Sequence, residues 1–204
     1  KAIMNKKSYW FYSDIARQVL GAIDRGADCI DISVDLNLSS GSFSLCQDGL
    51  ILDEDRLLTR EELRQIEKKE NRIFCLEDRQ LEVLESRAEG YYKLVPTDQA
   101  PLLEISGVKM HISKGVNPYE SAAQMAAQVV KRGDRVLDTC SGLGYAASAA
   151  LKLGARAVVS VERSATVMTL RERNPWSRSI FGERVDLVHA DIDEYIRDLP
   201  SASF

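Results

Sequence analysis

The sequence predicts an α/β protein in two parts: a small α+β domain over residues 1–112, and a doubly wound parallel sheet over residues 113–204. Three observations predict it. Beyond residue 113, apolar runs alternate with helical patterns: "RVLDT", "GYAASAALKLG", "AVVSVE", "ATVMTLRERN", "VDLVHA" and "DIDEYIRDL". Strands that alternate with helices build parallel sheets. Before residue 112, short apolar segments are separated by turn residues, as in a mostly antiparallel arrangement. Finally, the first two apolar runs of the second part end in an acid, Asp138 and Glu162, and Asp191 follows the third.

Composition bounds the answer. The 204 residues are 45% hydrophobic and 28% charged, the balance of a globular protein. No apolar run approaches the roughly 20 residues needed to cross a bilayer, so no membrane partner and a cytoplasmic location are expected. The start, "KAIMNKKSYWFYSDIARQ", is too broken for a secretory signal. Cys29, Cys46, Cys75 and Cys140 form no C-x-x-C pair. Reduced thiols and no metal site are therefore expected. The net charge of −4 and pI of about 5.4 argue against a dominant basic surface, though not against a local basic patch.

Taken in order, Ser13 caps a helix over "DIARQVLGAIDR", and Gly26 stops it. "CIDISVDLNLSS" alternates strictly and reads as one half-buried strand. "GSFSLCQDGLILD" reads as strand, Asp48-Gly49 turn and strand. Thr59 and Glu62 form a capping box for "REELRQIEKKEN". "RIFCLE", "GYYKLV" and a hairpin turning at Ser106-Gly107 supply further strands. Pro118 opens a helix that Gly133 ends.

The stretch "RVLDTCSGLGYAASAALKLGARAVVSVE" concentrates the chemistry. In an open parallel sheet, ligands bind beyond the carboxyl ends of the strands. Gly142 and Gly144 let the backbone approach a ligand closely. The following helix offers free amides and a partial positive charge. An acid ending the second strand can accept both hydroxyls of a ribose, so a nucleoside-containing cofactor is expected. "GLGYAA" fits the dinucleotide pattern G-x-G-x-x-A, but that pattern places its first glycine almost directly after the strand. Here Thr139, Cys140 and Ser141 intervene after Asp138.

At these residues the chain resembles class I S-adenosylmethionine-dependent methyltransferases, with a Rossmann-like sheet. "VLDTCSGLG", "VVSVE" and "VDLVHADI" look like motifs I, II and III of that family, over residues from about 113 to 204. The resemblance implies S-adenosyl-L-methionine as cofactor. It implies that Asp138 approaches the methionine amino group. Thr139, Cys140, Ser141, Gly142, Gly144 and the adjoining Tyr145 would surround the methionine part. Glu162 would hold the ribose, with Arg163 near the adenine. Asp191 would meet the exocyclic amine of adenine, beside Ile192. One departure is Cys140, where the commonest form of motif I has a glycine. Many RNA methyltransferases share that relaxed form, and the "ALKLGA" helix end resembles RNA guanine N-methyltransferases. "HISKGVNP" resembles a segment ahead of motif I in some tRNA methyltransferases, which makes Lys114 and Asn117 candidate substrate residues. The whole chain resembles a family of archaeal methyltransferases of unassigned substrate. Methylation of an amine on RNA is thus expected. The catalytic residues are unknown, since the family places the acceptor-activating motif after its fourth strand, beyond Phe204.

Other residues have plainer readings. Cys140 is read as a small loop residue, His189 as a packed core residue and His111 as a strand residue. Lys68-Lys69 and Arg171–Arg173 are read as solvated helix faces. Tyr9, Trp10 and Phe11, and likewise Tyr91-Tyr92, are read as core or interface. "KAIMNKK", Lys109, Lys114 and Lys131-Arg132 are the candidate basic patch. A spermidine synthase-like aminopropyltransferase and a non-catalytic binding module on the same scaffold are the rival functions. Three parallel strands fall short of the roughly six of a doubly wound domain. The sequence thus predicts that a further segment, or a partner chain such as a second copy in a homodimer, completes the sheet.

Overall fold

The structure is a computed structural model that describes residues 7–54, 56–112, 114–201 and 203–204. The chain forms two compact units that alternate along it. The first comprises residues 1–84 and returns for 94–101; the second comprises 85–93 and 102–204. The division therefore differs from a single cut between 112 and 113, because the segments flanking 94–101 belong to the second unit.

In the first unit, β1 (Ser8–Phe11) is followed by α1 (Ser13–Asp24), β2 (Cys29–Ile32), β3 (Gly41–Cys46), β4 (Gly49–Asp53) and β5 (Arg56–Thr59). α2 (Arg60–Glu67), β6 (Phe74–Glu77) and β7 (Gln80–Val83) complete it. β1, β6 and β7 form one antiparallel sheet, and β2 to β5 form another in sequence order. One core joins them: Phe11, Val19, Leu50, Leu58, Leu63 and Ile66 are fully buried. Tyr9 and Trp10 are buried as expected. The capping box also holds: Thr59 Oγ1 accepts from the Glu62 amide, and Glu62 Oε2 accepts from the Thr59 amide at 2.8 Å.

Three local expectations shift. Ser13 is the first helical residue of α1 rather than its cap; Tyr12 precedes the helix and makes no side-chain cap bond. The strand expected over "CIDISVDLNLSS" stops at Ile32. There Ser33 Oγ accepts from the Asn37 amide at 2.8 Å, and Leu36 and Asn37 turn to φ of 57° and 67°. The side-chain bond gives the backbone an alternative to the ladder. The β3–β4 turn is Gln47-Asp48, one residue early, since Cys46 pairs with Gly49.

The second unit opens with two hairpins. β8 (Glu85–Ser86) pairs with β9 (Tyr92–Val95), whose last two residues, Leu94 and Val95, already belong to the first unit, and β10 (Leu102–Ile105) with β11 (Val108–Lys109) around Ser106-Gly107. Lys93 is buried, and its Nζ meets Glu104 at 2.9 Å. α3 (Pro118–Val129) starts at Asn117 and ends before the Gly133 turn. Then β12 (Arg135–Asp138), α4 (Tyr145–Lys152), β13 (Ala157–Glu162), α5 (Ala165–Glu172), β14 (Val185–His189) and the short α6 (Ile192–Tyr195) follow. A 3₁₀ helix over Pro175–Phe181, unforeseen in the sequence, precedes β14.

The three strands are parallel, in the order β12-β13-β14. Ala147, Ala150 and Ala155 are buried with Val158 and Ile180. Small side chains along α4 let it lie close to the sheet. β12 is an edge strand among the described residues, and Val136 and Leu137 are only half-buried.

Gly49 is a sharp test of the first unit. A Cβ there would lie 2.1 Å from the Leu58 carbonyl oxygen. Gly49→Ala should cost more than about 1 kcal/mol, because the backbone of β5 must move. Urea unfolding measures this, and an unchanged midpoint would mean that β4 and β5 separate freely at that pair.

Candidate functional site

The carboxyl ends of β12, β13 and β14 bring the predicted acids to one side of the sheet. Asp138 pairs in register with Ser160, and Glu162 with His189. Between β12 and α4 the chain makes the loop Thr139–Gly144. Thr139 and Cys140 are exposed, Gly142 is half-buried, and Ser141, Gly144 and Tyr145 are buried.

Glu162 ties this loop down. Its Oε2 accepts from the Gly142 amide and its Oε1 from the Ser164 amide, each at 2.8 Å. Each oxygen retains lone-pair capacity for a further donor, since an ionised carboxylate has about four acceptor sites. Ser141 is held from behind: its amide donates to the Val161 carbonyl at 2.9 Å, and its Oγ lies 2.6 Å from Ser160 Oγ. Ser160 Oγ in turn donates to Asp138 Oδ2 at 3.0 Å. Burial pushes the Asp138 carboxyl up; the Ser160 hydroxyl, the Arg171 charge and the Cys140 amide pull it back.

Arg171 overturns its expected place on a solvated helix face. It is 1% exposed, and Nη1 donates to Ser141 Oγ at 2.6 Å. Its Nε is buried with no hydrogen-bond partner. Burial lowers its pKa, against the opposing pull of Glu162, Asp138 and Glu172. The sequence signal was available in the phase of α5: Val167, Leu170 and Arg171 share the buried face.

Gly144 is required for a reason other than ligand approach. It takes φ of 76°, and a Cβ there would lie 2.3 Å from Ile180 Cδ1 in the 3₁₀ helix. The glycine thus admits a buried isoleucine. Beside it, Tyr145 is buried, and its hydroxyl accepts from Asn174 Nδ2 at 3.0 Å.

The third strand end is looser. Asp191 caps α6, with Oδ1 accepting from the Asp193 amide at 2.9 Å. Its Oδ2 lies 3.5 Å from Arg163 Nη1, an ion pair whose arginine is 80% exposed. Ile192 is half-buried. His189 is exposed rather than packed in the core, because its side chain leaves the short β14 at its end; Nε2 lies 3.0 Å from the Arg163 carbonyl.

Lys114 is exposed. Asn117 is committed to α3: Oδ1 accepts from the Glu120 amide at 2.9 Å, and Nδ2 donates to Glu120 Oε2 at 3.2 Å. Lys109, Lys131 and Arg132 are exposed; Lys1 and Lys6 lie outside the described residues. The four cysteines are free, and no cluster of metal-ligating residues occurs among the described residues. No helix among the described residues is long and apolar enough to cross a membrane.

His111 lies just past β11, not within a strand. Its Nδ1 accepts from the Leu103 amide at 3.2 Å, which leaves Nε2 as the protonated nitrogen of the neutral ring. The ring is tilted against Tyr145, with centroids 5.3 Å apart. Tyr119 flanks Tyr145 at 5.7 Å and Trp176 at 5.5 Å, so four rings form a row. Burial lowers the His111 pKa to about 4.

This gives a pH prediction. Below about pH 6.5 the unfolded chain protonates this histidine while the folded chain does not, so stability falls as pH drops from about 6.5 towards 4. Wild type should lose roughly 2 kcal/mol more than His111→Gln between pH 7 and 4.5. Denaturant unfolding at the two pH values measures the difference. Parallel losses would show that His111 is not held neutral.

No family model matches the chain. The chain is 31% identical over 201 residues to the uncharacterized protein MJ1233 of Methanocaldococcus jannaschii. The alignment covers 94% of this chain and 66% of that relative, so the chain spans just under two thirds of its length. Among solved structures, it is similar to the Pyrococcus horikoshii protein TYW2 in complex with MeSAdo, at 17% identity and a TM-score of 0.36. That match covers 59% of this chain and 41% of the other. The M. jannaschii tRNA m1G37 methyltransferase is 16% identical with a TM-score of 0.34, over 60% of this chain and 34% of that one. M. jannaschii TYW2 in complex with AdoMet is 16% identical with a TM-score of 0.35, over 58% and 49%.

Proposed function

We propose that the second unit binds S-adenosyl-L-methionine at the carboxyl ends of β12, β13 and β14, as part of a methyltransferase acting on an amine of RNA. One observation supports the cofactor reading above the others: a half-buried Asp138 and a loop-tying Glu162 flank a loop too long for a dinucleotide turn.

The residues present suit that group. Asp138 offers a carboxylate to the ammonium of the methionine part. The loop from Thr139 to Gly144 and the first amides of α4 suit the methionine carboxylate. Glu162 offers its remaining lone pairs to the ribose hydroxyls. Asp191 and Ile192 would offer an acceptor to the adenine edge and an apolar surface to its face, with Arg163 alongside. The sulfonium supplies the transferable methyl group, and the chain's part is to orient the reactants and exclude water.

The RNA reading rests on the relaxed motif I with Cys140 and on "ALKLGA". Exposed Lys109, Lys114 and Lys131-Arg132 are the candidates for phosphate contact.

Calorimetric titration tests the cofactor. S-adenosylmethionine and S-adenosylhomocysteine should bind, and nicotinamide dinucleotides should not. Charge-assisted hydrogen bonds contribute about 1.5–3 kcal/mol each, so Glu162→Ala should weaken binding by roughly one to three orders of magnitude. Tighter binding of a dinucleotide, or an unchanged affinity in Glu162→Ala, would refute the site. Transfer of tritiated methyl to total RNA, compared with protein and polyamine pools, tests the acceptor; label confined to the last two would remove RNA.

A further inference from the structure

Arg171 is a buried charge that the cofactor reading leaves without a task. Two serines, Ser141 and Ser160, connect it to Asp138, the acid at the centre of the site. We propose that Arg171 is a positioning residue: through Ser141 and Ser160 it sets the direction of a hydrogen-bond relay that keeps Asp138 ionised for a cationic ligand. The inference rests on the reading of this site as an S-adenosylmethionine pocket, whose ammonium group is that cation.

The direction follows from donor and acceptor chemistry. A guanidinium only donates. Ser141 Oγ, 2.6 Å from Arg171 Nη1, must therefore accept there. Its single hydrogen is then free for Ser160 Oγ, also 2.6 Å away. Ser160 passes its own hydrogen to Asp138 Oδ2 at 3.0 Å. Ser160 is fully buried and Ser141 is 5% exposed, so water does not substitute readily in the middle of the chain.

Protonation of Asp138 Oδ2 would reverse the relay. Ser160 would then accept from Asp138 and donate to Ser141. Ser141 would receive two donors, and its own buried hydrogen would lose its acceptor. The arginine thus penalises the neutral acid by geometry as well as by charge. The groups that face Asp138 are the Ser160 hydroxyl and Glu162 from β13, the Cys140 amide from the loop and Arg171 from α5. Only Glu162 and burial oppose ionisation. Arg171 itself feels the charges of Glu162, Asp138 and the exposed Glu172, so nearby acids balance its charge.

The test uses the full chain with ¹³C-labelled aspartate. NMR follows the Asp138 carboxyl against pH in wild type, Arg171→Met, Arg171→Lys and Ser141→Ala. The midpoint should rise by about one pH unit or more in Arg171→Met, the size expected when a nearby opposite charge is removed. Arg171→Lys should restore most of it. Ser141→Ala keeps the charge but cuts the relay, and should also raise the midpoint. Wild-type affinity for S-adenosylhomocysteine should be flat from pH 6 to 8; in Arg171→Met it should fall about tenfold for each pH unit below the new midpoint. An unmoved midpoint in folded Arg171→Met would overturn the proposal. Should that variant not fold, an unmoved midpoint in Ser141→Ala overturns it equally. Midpoints that shift in the variants as stated, with a wild type that does not bind S-adenosylhomocysteine, would uphold the relay and refute the cofactor reading.

Discussion

A guanidinium buried under the loop is the constraint on which this site depends. Desolvating a charge costs several kcal/mol unless other charges and hydrogen bonds offset it. Around Arg171 the offset comes from Asp138 and Glu162, the two acids at the ends of neighbouring strands. The sheet register puts those strand ends together, and the loop follows from them. Ser141 is held by Arg171 and by the Val161 carbonyl, and Gly142 is held by Glu162. The chain's own groups therefore hold the loop, and preorganisation of this kind reduces the entropy that binding must overcome. The same acids are thereby structural and available: Glu162 spends one lone pair of each oxygen on backbone amides and keeps the rest.

Packing on the other side of the loop works by shape. Gly144 admits Ile180, and the alanines of α4 admit the sheet. Tyr145 closes the base of the helix between His111 and Tyr119, and its hydroxyl is satisfied by Asn174. The polar contacts and the apolar ones thus meet at one short segment, residues 141–145. Substitutions there would disturb both sets at once, and their effects should not be additive.

How much of this could be read from the sequence depends on whether the signal was local. The parallel sheet was legible because each strand is a short apolar run and each following helix has its own period. The capping box at Thr59 was legible because a cap needs only residues three apart; the cap at Asn117, read as a candidate substrate residue, was not. The premature end of β2 was not, because Ser33, Asp35 and Asn37 fit an exposed strand face equally well until their side chains turn on the backbone. The place of Arg171 was legible only in part: the phase of α5 sets it beside Val167 and Leu170, but a charge in an "RER" run reads as solvated until Ser141 and the two acids, distant in sequence, make its burial tolerable. His189 misled in the opposite way, since an apolar run says nothing of which side chain escapes at the strand's end. The return of residues 94–101 to the first unit is a long-range matter with no local mark.

The central claim is that the three strand ends and the loop between them form one site for an S-adenosyl ligand. Amide hydrogen exchange, with and without S-adenosylhomocysteine, tests it most directly. Exchange should slow at residues 139–145, 162–164 and 190–193 together, and stay unchanged across β2 to β5. Protection confined to the first unit, or to one strand end alone, would contradict the account.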